Sequence, residues 1–186
     1  MSIAVLENIS IRQRVIPISI NQYHQMNELG IISEKTELID GVILEKMSKS
    51  PLHSYIAYVI NRFFIERIPE GYLVRKEEPL TLARSELEPD ISIIKGDLTH
   101  FKTAHPSYAE LVIEIAISSL EMDRAKSNIY APAEIPEYWV VIPTKKQVEV
   151  YTQPENGNYR IVQIYRQSDK IKTICDLVVN LDDIFD

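Results

Sequence analysis

Two acidic residues stand where the sequence predicts buried strands, and their types and positions are suited to metal chemistry. Asp90 ends the segment Glu88-Pro-Asp90, directly ahead of an apolar run at 91–94, and Glu114 interrupts the apolar run at 111–117. If the two strands are neighbours in one sheet, both carboxylates reach the same point. Mg²⁺ prefers a few oxygen ligands at roughly 2.0–2.1 Å and keeps several waters, which leaves room for a phosphate group. The pair therefore predicts a divalent-metal site.

Glu114 is the stronger of the two signals, because its strand is apolar on both alternating faces, the pattern of a strand covered on both sides. An unpaired carboxylate in such a strand is costly, so Glu114 needs either a metal ion or a structural ion pair. Asp90 alone is more typical of a turn or a cap, since Pro-Asp pairs are frequent in turns. The metal-site interpretation therefore depends on the two residues acting together.

A cationic partner for Glu114 is predicted on the helix that follows its strand. A period of two places Glu114 and Ala116 on one face, and the small alanine leaves space beside the carboxylate. In the next helix, Lys126 lies on a stripe directed towards the sheet, whose other members are Met122, Ile129 and Tyr130. Lys126 on its own would more often be a surface lysine whose ammonium reaches solvent. Together with Glu114, it predicts a buried ammonium beside a buried carboxylate.

The order of predicted elements indicates an α/β or α+β domain with a partly antiparallel sheet. Helices are predicted at 19–29, at 51–69 and, from a capping box formed by Ser118 and Glu121, at 118–131. Two short strands are predicted within 36–47, turning at Asp40-Gly41. Further strands are predicted at 72–75, 80–83, 91–94, 111–117, 138–142, 147–151, 159–165 and 171–174.

The composition limits the classes of protein to which this chain can belong. With 186 residues, 45% of them hydrophobic, it can bury one core, so a single domain spanning 1–186 is expected. The net charge of −7 argues against a protein that coats nucleic acid, although basic residues confined to one cleft would still allow a catalytic site to act on it. The single cysteine, Cys175, and the absence of a charged leader favour the cytoplasm. No apolar stretch approaches the roughly 18 to 20 residues that cross a bilayer.

Six short motifs, taken together, resemble one known family. In the family's order they are Glu37-Leu-Ile-Asp-Gly41, Ser50-Pro-Leu-His53, Glu88-Pro-Asp90, Leu111-Val-Ile-Glu-Ile115, Asp123-Arg-Ala-Lys126 and Ile135-Pro-Glu-Tyr-Trp-Val140. The resemblance covers about residues 20–165 and is to the large bacterial family of putative restriction endonucleases, which is placed in the PD-(D/E)XK nuclease superfamily. It implies a restriction-endonuclease-like core, in which helices flank a central mixed β-sheet.

The resemblance also implies roles for individual residues. Asp90 and Glu114 would be metal ligands, with the backbone carbonyl of Ile115 as a third ligand. The lysine of the superfamily motif usually stands where this chain has Ala116, and the family resemblance supplies Lys126 in its place. This replacement agrees with the helical stripe that carries Lys126.

Five other residues have interpretations that are mainly structural. Glu37 would be a further acid near the metal, or an exposed strand residue without a catalytic role. His53, near a helix start, is more often a structural histidine than a catalytic base and is left outside the catalytic set. Tyr138 and Trp139 are expected to pack in the core, because strands favour aromatic residues. Arg124 falls on a polar helix face and is predicted to be solvated.

The implied activity is metal-assisted hydrolysis of a phosphodiester bond in nucleic acid, with DNA as the expected substrate. Asp90 and Glu114 would hold Mg²⁺ or Mn²⁺, and Lys126 would orient the attacking water or neutralise developing charge. A homodimer is expected, since cleaving both strands of a duplex requires two sites. The alternative is a module that keeps the nuclease fold and binds nucleic acid or a protein without cleavage, which the net charge and Ala116 favour. A purely structural or self-associating domain would leave Glu114 unexplained.

Overall fold

The computed structural model describes residues 8–186, which form five α-helices and twelve strands. The residues before them, on which the expectation about a leader rests, lie outside this part. The helices are α1 (Ile9–Arg12), α2 (Ile20–Glu28), α3 (Pro51–Arg67), α4 (Leu120–Tyr130) and α5 (Asp182–Phe185). The strands are β1 (Thr36–Ile39), β2 (Val42–Glu45), β3 (Tyr72–Lys76), β4 (Leu80–Thr81), β5 (Glu86–Leu87), β6 (Ile91–Lys95), β7 (Leu111–Ile115), β8 (Glu137–Ile142), β9 (Gln147–Glu155), β10 (Asn158–Arg166), β11 (Lys170–Lys172) and β12 (Val178–Asn180). Among the described residues, no helix is both long and apolar enough to cross a membrane.

The central sheet has six strands in the order β10-β9-β8-β7-β6-β3. β7 and β8 pair in parallel, from Leu111 opposite Glu137 to Ile115 opposite Val141. The other neighbouring strands are antiparallel. The connection between the parallel strands is α4, because parallel neighbours need a crossover rather than a tight turn. The expected central mixed sheet is therefore confirmed.

Strand β7 is covered on both faces, so its side chains alternate between two cores. One core contains the odd-numbered residues of β7 together with Phe64 and other residues of α3. The second core contains Val112, Ala116 and Tyr130, the last of which belongs to α4. Glu114 shares the period of Val112 and Ala116 and thus lies on the α4 side of the sheet. The helices flank the sheet as predicted.

Strand β8 contributes aromatic side chains to both cores. Trp139 packs with Phe64 at a ring-centroid distance of 6.2 Å, and Tyr138 packs with Tyr130 at 4.8 Å. Trp139 Nε1 donates a hydrogen bond to Glu137 Oε1 at 2.6 Å, which satisfies its polar atom. Both side chains are fully buried, so the predicted core packing of Tyr138 and Trp139 is confirmed.

The hairpin predicted at 36–47 is present, in a second sheet of order β2-β1-β5-β4. Its turn residues, Asp40 and Gly41, have φ of 48° and 79°, and two positive values are typical of the tight turns that favour Asp-Gly. Gly41 must also stay small, since a Cβ there would lie 2.4 Å from the Cβ of Pro17. The turn fixes β1, and β1 carries Glu37 towards Lys126 of α4.

Several predicted strand boundaries are wrong. The run at 111–117 is a strand only to Ile115, where its pairing with β8 ends. Its pairing with β6 already ends at Ile113, because the Ile115 N–H donates to the Asp90 side chain. The run at 80–83 is split between β4 and a turn in which the Leu82 N–H donates to the Ser85 carbonyl. The strand predicted at 171–174 is β11, which pairs with the unpredicted β12 in a small separate sheet.

The predicted capping box at the start of α4 is also wrong. The helix begins one residue later than expected, with Ser119 at the N-cap, and no side chain of the described residues caps it. The Ser119 hydroxyl instead donates to Asp123 Oδ2 at 2.5 Å. Glu121 is exposed and forms an ion pair with Arg124 at 3.2 Å rather than reaching back to Ser118. In the first turn of α4, the N-cap serine therefore hydrogen-bonds to the Asp123 side chain instead of capping the helix.

Candidate active site

A cleft opens beyond the carboxyl end of β7, between the amino-terminal turns of α3 and α4. We name it the acidic cleft because carboxylates dominate its walls, contributed by Glu37, Glu45, Glu88, Asp90, Glu114 and Asp123. The ammonium groups of Lys46, Lys49 and Lys126 also line it. Clustered carboxylate oxygens are the ligands that hard divalent cations prefer. The acidic cleft is therefore the place to test the predicted metal site.

Asp90 is held in its ionised form by two donors on one oxygen. Its Oδ2 accepts a hydrogen bond from His53 Nε2 at 3.0 Å and another from the Ile115 backbone N–H at 2.8 Å. Its Oδ1 lies 3.5 Å from Lys49 Nζ. Although burial opposes ionisation, His53 and Ile115 hold the pKa of Asp90 below its usual range. Asp90 thus presents a fixed negative charge in the cleft.

Glu114 is buried, and its pKa is shifted upwards, in the opposite direction to that of Asp90. Its Oε1 accepts hydrogen bonds from Lys126 Nζ at 2.9 Å and from the Tyr130 hydroxyl at 3.0 Å. Burial raises the pKa of Glu114 to about 8, the Lys126 ammonium opposes this shift, and the charges of Asp90 and Asp123 add to it. The pKa values of the two acids are therefore shifted in opposite directions, downwards for Asp90 and upwards for Glu114.

Lys126 reaches three carboxylates from the inward face of α4. Its Nζ lies 2.9 Å from Glu114, 3.7 Å from Asp123 and 3.9 Å from Glu37. Burial disfavours the charge, but Glu114, Glu37 and Asp123 together raise the pKa of Lys126 above its usual value. The side chain is therefore a permanent cation inside the acidic cleft.

The structure brings the three predicted catalytic residues into one cleft. Asp90 directly precedes β6, Glu114 lies on the adjacent antiparallel strand β7, and Lys126 approaches from α4. The predicted convergence in space is therefore confirmed, while the catalytic and metal-binding roles stay predictions.

The two additional ligands expected from the family resemblance are also at the cleft. The N–H and C=O of one strand residue point to the same side, and the Ile115 N–H faces Asp90, so the Ile115 carbonyl faces that side too. Glu37 is 8% exposed, so its interpretation as an exposed strand residue is wrong. Both residues lie where they could assist in holding a cation.

His53 is a neighbour of Asp90, which its sequence context did not indicate. A carboxylate can only accept, so the His53 Nε2 carries the proton in their hydrogen bond. Its Nδ1 is buried and makes no hydrogen bond within the described residues. The available signal was the spacing of His53 with Ile56 and Ile60, which places all three on the inward face of α3.

Asp123 was missed, and it replaces Met122 on the inward stripe of α4. The buried residues of this helix are Asp123, Lys126 and Tyr130, whereas Met122 is 39% exposed. Burial and the nearby charge of Asp90 raise the pKa of Asp123, against the stabilising effects of Lys126 and Ser119. A stripe defined by apolar residues could not reveal this acid, because its buried partners, Lys126 and Ser119, are polar.

Arg124 is partly exposed, in keeping with its prediction as a solvated residue, but it also forms an ion pair that the prediction did not include. Its Nη2 lies 2.5 Å from Glu149 Oε1 and its Nε donates to Glu149 Oε2 at 3.1 Å. The Tyr151 hydroxyl donates to the same Oε2 at 2.8 Å. The guanidinium therefore links α4 to β9 by donating to the buried Glu149 carboxylate. This contact lies on the sheet face that carries the acidic cleft.

The donor set fits a metal ion that keeps part of its water shell. Within residues 8–186, no three His, Cys, Asp or Glu side chains are grouped so as to hold a metal ion. Mg²⁺ is commonly bound through only one or two carboxylates, with waters completing its octahedron. Asp90, Glu114 and the Ile115 carbonyl match this mode, and none of the described residues hydrogen-bonds to Glu114 Oε2.

Comparisons with known proteins bear on the fold and the family of the chain. A crystal structure of a putative nuclease belonging to DUF820, from Anabaena variabilis ATCC 29413, superimposes with a TM-score of 0.72 at 18% identity, over 91% of this chain and 98% of that one. At this identity the likeness shows the fold. No protein among those with curated functions matches the chain. The Uma2 family model, described as putative restriction endonuclease, matches residues 20–179, and the chain belongs to this family.

Proposed function

We propose that the protein is a divalent-metal-dependent endonuclease that hydrolyses phosphodiester bonds of nucleic acid, with DNA as its substrate. The observation that carries the proposal is the meeting of Asp90, Glu114 and Lys126 in one cleft, although they come from the segment before β6, from β7 and from α4. Membership of a family of putative restriction endonucleases supports it.

Asp90 and Glu114 would hold Mg²⁺ or Mn²⁺, with the Ile115 carbonyl as a third ligand and Glu37 as a further acid. Such an ion supplies a Lewis acid that polarises the phosphoryl group and lowers the pKa of a water. Asp90 is prepared for this role, because His53 and the Ile115 N–H fix one of its oxygens and keep it charged. A bound cation would favour the carboxylate form of Glu114, which coordination requires, and so would oppose the upward shift of its pKa.

Lys126 would stabilise the negative charge that develops on the phosphoryl oxygens or orient the attacking water. Its charge is secured by carboxylates on three sides, and its position is fixed by the hydrogen bond to Glu114. Because the surroundings are arranged before substrate arrives, little reorganisation is needed during the reaction. An ammonium cannot itself be a metal ligand, so its contribution is separable from cation binding.

A catalytically silent module that binds nucleic acid or a protein is the second candidate. Two observations favour it: the net charge is −7, and Ala116 is packed in the core at the position of the superfamily lysine. Incubation with single- and double-stranded DNA and RNA, with Mg²⁺ or Mn²⁺, separates the two candidates. Metal-dependent cleavage by the parent and its loss in Glu114→Ala supports the endonuclease, whereas binding without cleavage supports the module.

The assembly and location of the protein are part of the proposal. Two copies would supply the two sites needed to cut both strands of a duplex, so a homodimer formed by the single domain 1–186 is proposed. Light scattering that finds only a 21.5 kDa species would contradict it. A single cysteine, exposed and without a disulfide, is compatible with the proposed reducing cytoplasm.

A further inference from the structure

Three lysines line the acidic cleft, and they differ in how fully their charges are matched. Lys126 is buried among carboxylates, so its ammonium is committed to them. Lys46 Nζ lies 2.6 Å from Glu88 Oε1, which gives it one carboxylate of its own. Lys49 is the member of this set that shares its nearest carboxylate with another lysine.

Lys49 and Lys76 both use Glu77. The Nζ of Lys49 lies 2.9 Å from Glu77 Oε2, and that of Lys76 lies 3.1 Å from Glu77 Oε1. Partial burial opposes ionisation of Glu77, but the two lysines hold its pKa below the usual range. The single negative charge of Glu77 is therefore shared between two ammonium groups. Lys49 has a second, longer ion-pair contact, in which its Nζ lies 3.5 Å from Asp90 Oδ1.

A cation bound by Asp90 would weaken this second contact, because the carboxylate would then share its charge with the ion. The Lys49 side chain is 37% exposed, so its ammonium can turn to a group that enters from solvent. Lys49 also immediately precedes Ser50, the N-cap of the long helix α3, whose amino-terminal end favours negative charge. These features together suit a phosphate group at the mouth of the cleft.

We propose that Lys49 binds a non-bridging phosphate oxygen of the nucleic-acid backbone and so positions the strand over Asp90 and Glu114. The inference rests on the proposed function, because nucleic acid must enter the acidic cleft for the contact to form. Lys49 would thus provide local positive charge for a substrate that the net charge of −7 repels overall. A lysine suits this role as a compact point charge that needs no fixed geometry.

The experiment compares Lys49→Met with Lys76→Met, which removes an ammonium from the same carboxylate outside the cleft. Lys49→Arg tests whether another cation restores the contact. Binding of fluorescein-labelled DNA is measured by anisotropy over a range of salt concentrations, with Ca²⁺ as a cation that also takes oxygen ligands. Cleavage is measured separately with Mg²⁺, and thermal melts establish that each variant is folded.

Lys49→Met is expected to weaken DNA binding about tenfold, while Lys76→Met and Lys49→Arg bind like the parent. The slope of log affinity against log salt should fall by roughly 0.9 for duplex DNA when one phosphate contact is lost. Equal losses in the two methionine variants, unchanged binding by Lys49→Met, or a parent that does not bind DNA would each overturn the inference. Lys49-dependent binding without cleavage would keep the inference and contradict the proposed hydrolysis.

Discussion

Lys126 Nζ lies 2.9 Å from Glu114 Oε1, although it belongs to the helix after β7 and not to β7 itself. The superfamily pattern places its lysine two positions after the acid, where this chain has Ala116 packed in the core. Helix α4 therefore brings an ammonium to the carboxylate from a different element. Glu114 thus has an ammonium beside it although the residue two positions later is an alanine.

Replacing Glu114 by Gln should remove the response of the fold to metal. The amide keeps an oxygen that can accept from Lys126 and Tyr130, so the variant in chelator should melt close to the parent temperature. Mg²⁺ should stabilise the parent by roughly 2.7 kcal/mol when free metal is a hundred times its dissociation constant, provided that the unfolded chain does not bind it. Thermal melts with and without Mg²⁺ measure this. Equal metal-induced shifts in the parent and Glu114→Gln would show that the site lies elsewhere.

Lys126→Met should separate catalysis from metal binding. Cleavage should fall by about 10²–10³, since one preorganised donor to the transition state is lost. The metal-induced stabilisation should persist, because the ammonium is not a ligand. The variant in chelator should lose about 3 kcal/mol of stability, since carboxylates buried around Lys126 lose their cation. Cleavage rates of the parent and the variant are measured under saturating Mg²⁺, below the melting range of the variant. A parent-like rate would contradict a catalytic role for Lys126.

His53 should act through the orientation of Asp90, and two substitutions separate this from packing. Gln can place an N–H donor near the position of Nε2, whereas Leu fills similar space without a donor. His53→Leu should weaken Mg²⁺ affinity by about 10- to 100-fold, as is typical when a partner of a metal ligand is removed. His53→Gln should recover most of it. Titration calorimetry with Mg²⁺ provides the affinities, and similar losses in both variants would indicate a packing effect.

The Arg124–Glu149 ion pair should make stability depend on acid pH. Hydrogen bonds from Arg124 hold the pKa of Glu149 below its usual value of 4.5, so the folded state favours the carboxylate. Its stabilising contribution is present above pH 4.5 and is lost as pH falls through the lower folded-state pKa. The effect should be about 1 kcal/mol, because Arg124 is 39% exposed.

Urea unfolding at a series of pH values measures this contribution in the parent and in Glu149→Gln, where it should be absent. Glu121→Gln is the matched control, because Glu121 also pairs with Arg124 but is 89% exposed. This control should retain the acid dependence of the parent. If Glu149→Gln and the parent lose stability identically below pH 4.5, the pair does not contribute to acid sensitivity.

The positions of Asp90 and Glu114 could be predicted because strand alternation and apolar patterning are local properties of the sequence. Lys126 could be predicted from helical spacing, which likewise needs only neighbouring residues. The role of His53, by contrast, depends on its hydrogen bond to Asp90, which joins α3 to the segment just before β6. Asp123 is buried next to Lys126, with its Oδ1 3.7 Å from Lys126 Nζ, and accepts from the Ser119 hydroxyl. Such contacts join elements distant in sequence or depend on ion pairs, and apolar periodicity does not detect them.

The same distinction explains the errors in the fold. The Asp40-Gly41 turn was predictable because its φ requirements are set by two residues. The end of the pairing between β7 and β6 at Ile113 was not, because it depends on the Asp90 side chain accepting the Ile115 N–H. The ion pair of Arg124 was not predictable either. Its partner Glu149 is distant in sequence and lies on a strand that comes near α4 only in the folded protein.

The central claim is that Asp90 and Glu114 form the catalytic metal site, and a matched pair of glutamine variants tests it most directly. Glu137 is a buried glutamate at the opposite end of the β7–β8 pair and lies outside the acidic cleft. Glu137→Gln therefore applies the same substitution away from the proposed chemistry. Both variants and the parent are incubated with DNA and Mg²⁺, at a temperature where melts show all three to be folded.

We expect Mg²⁺-dependent cleavage by the parent and by Glu137→Gln, none in chelator, and a rate at least about 10²-fold lower for Glu114→Gln. Cleavage by Glu114→Gln at the parent rate, or Mg²⁺-independent cleavage by the parent, would contradict the account.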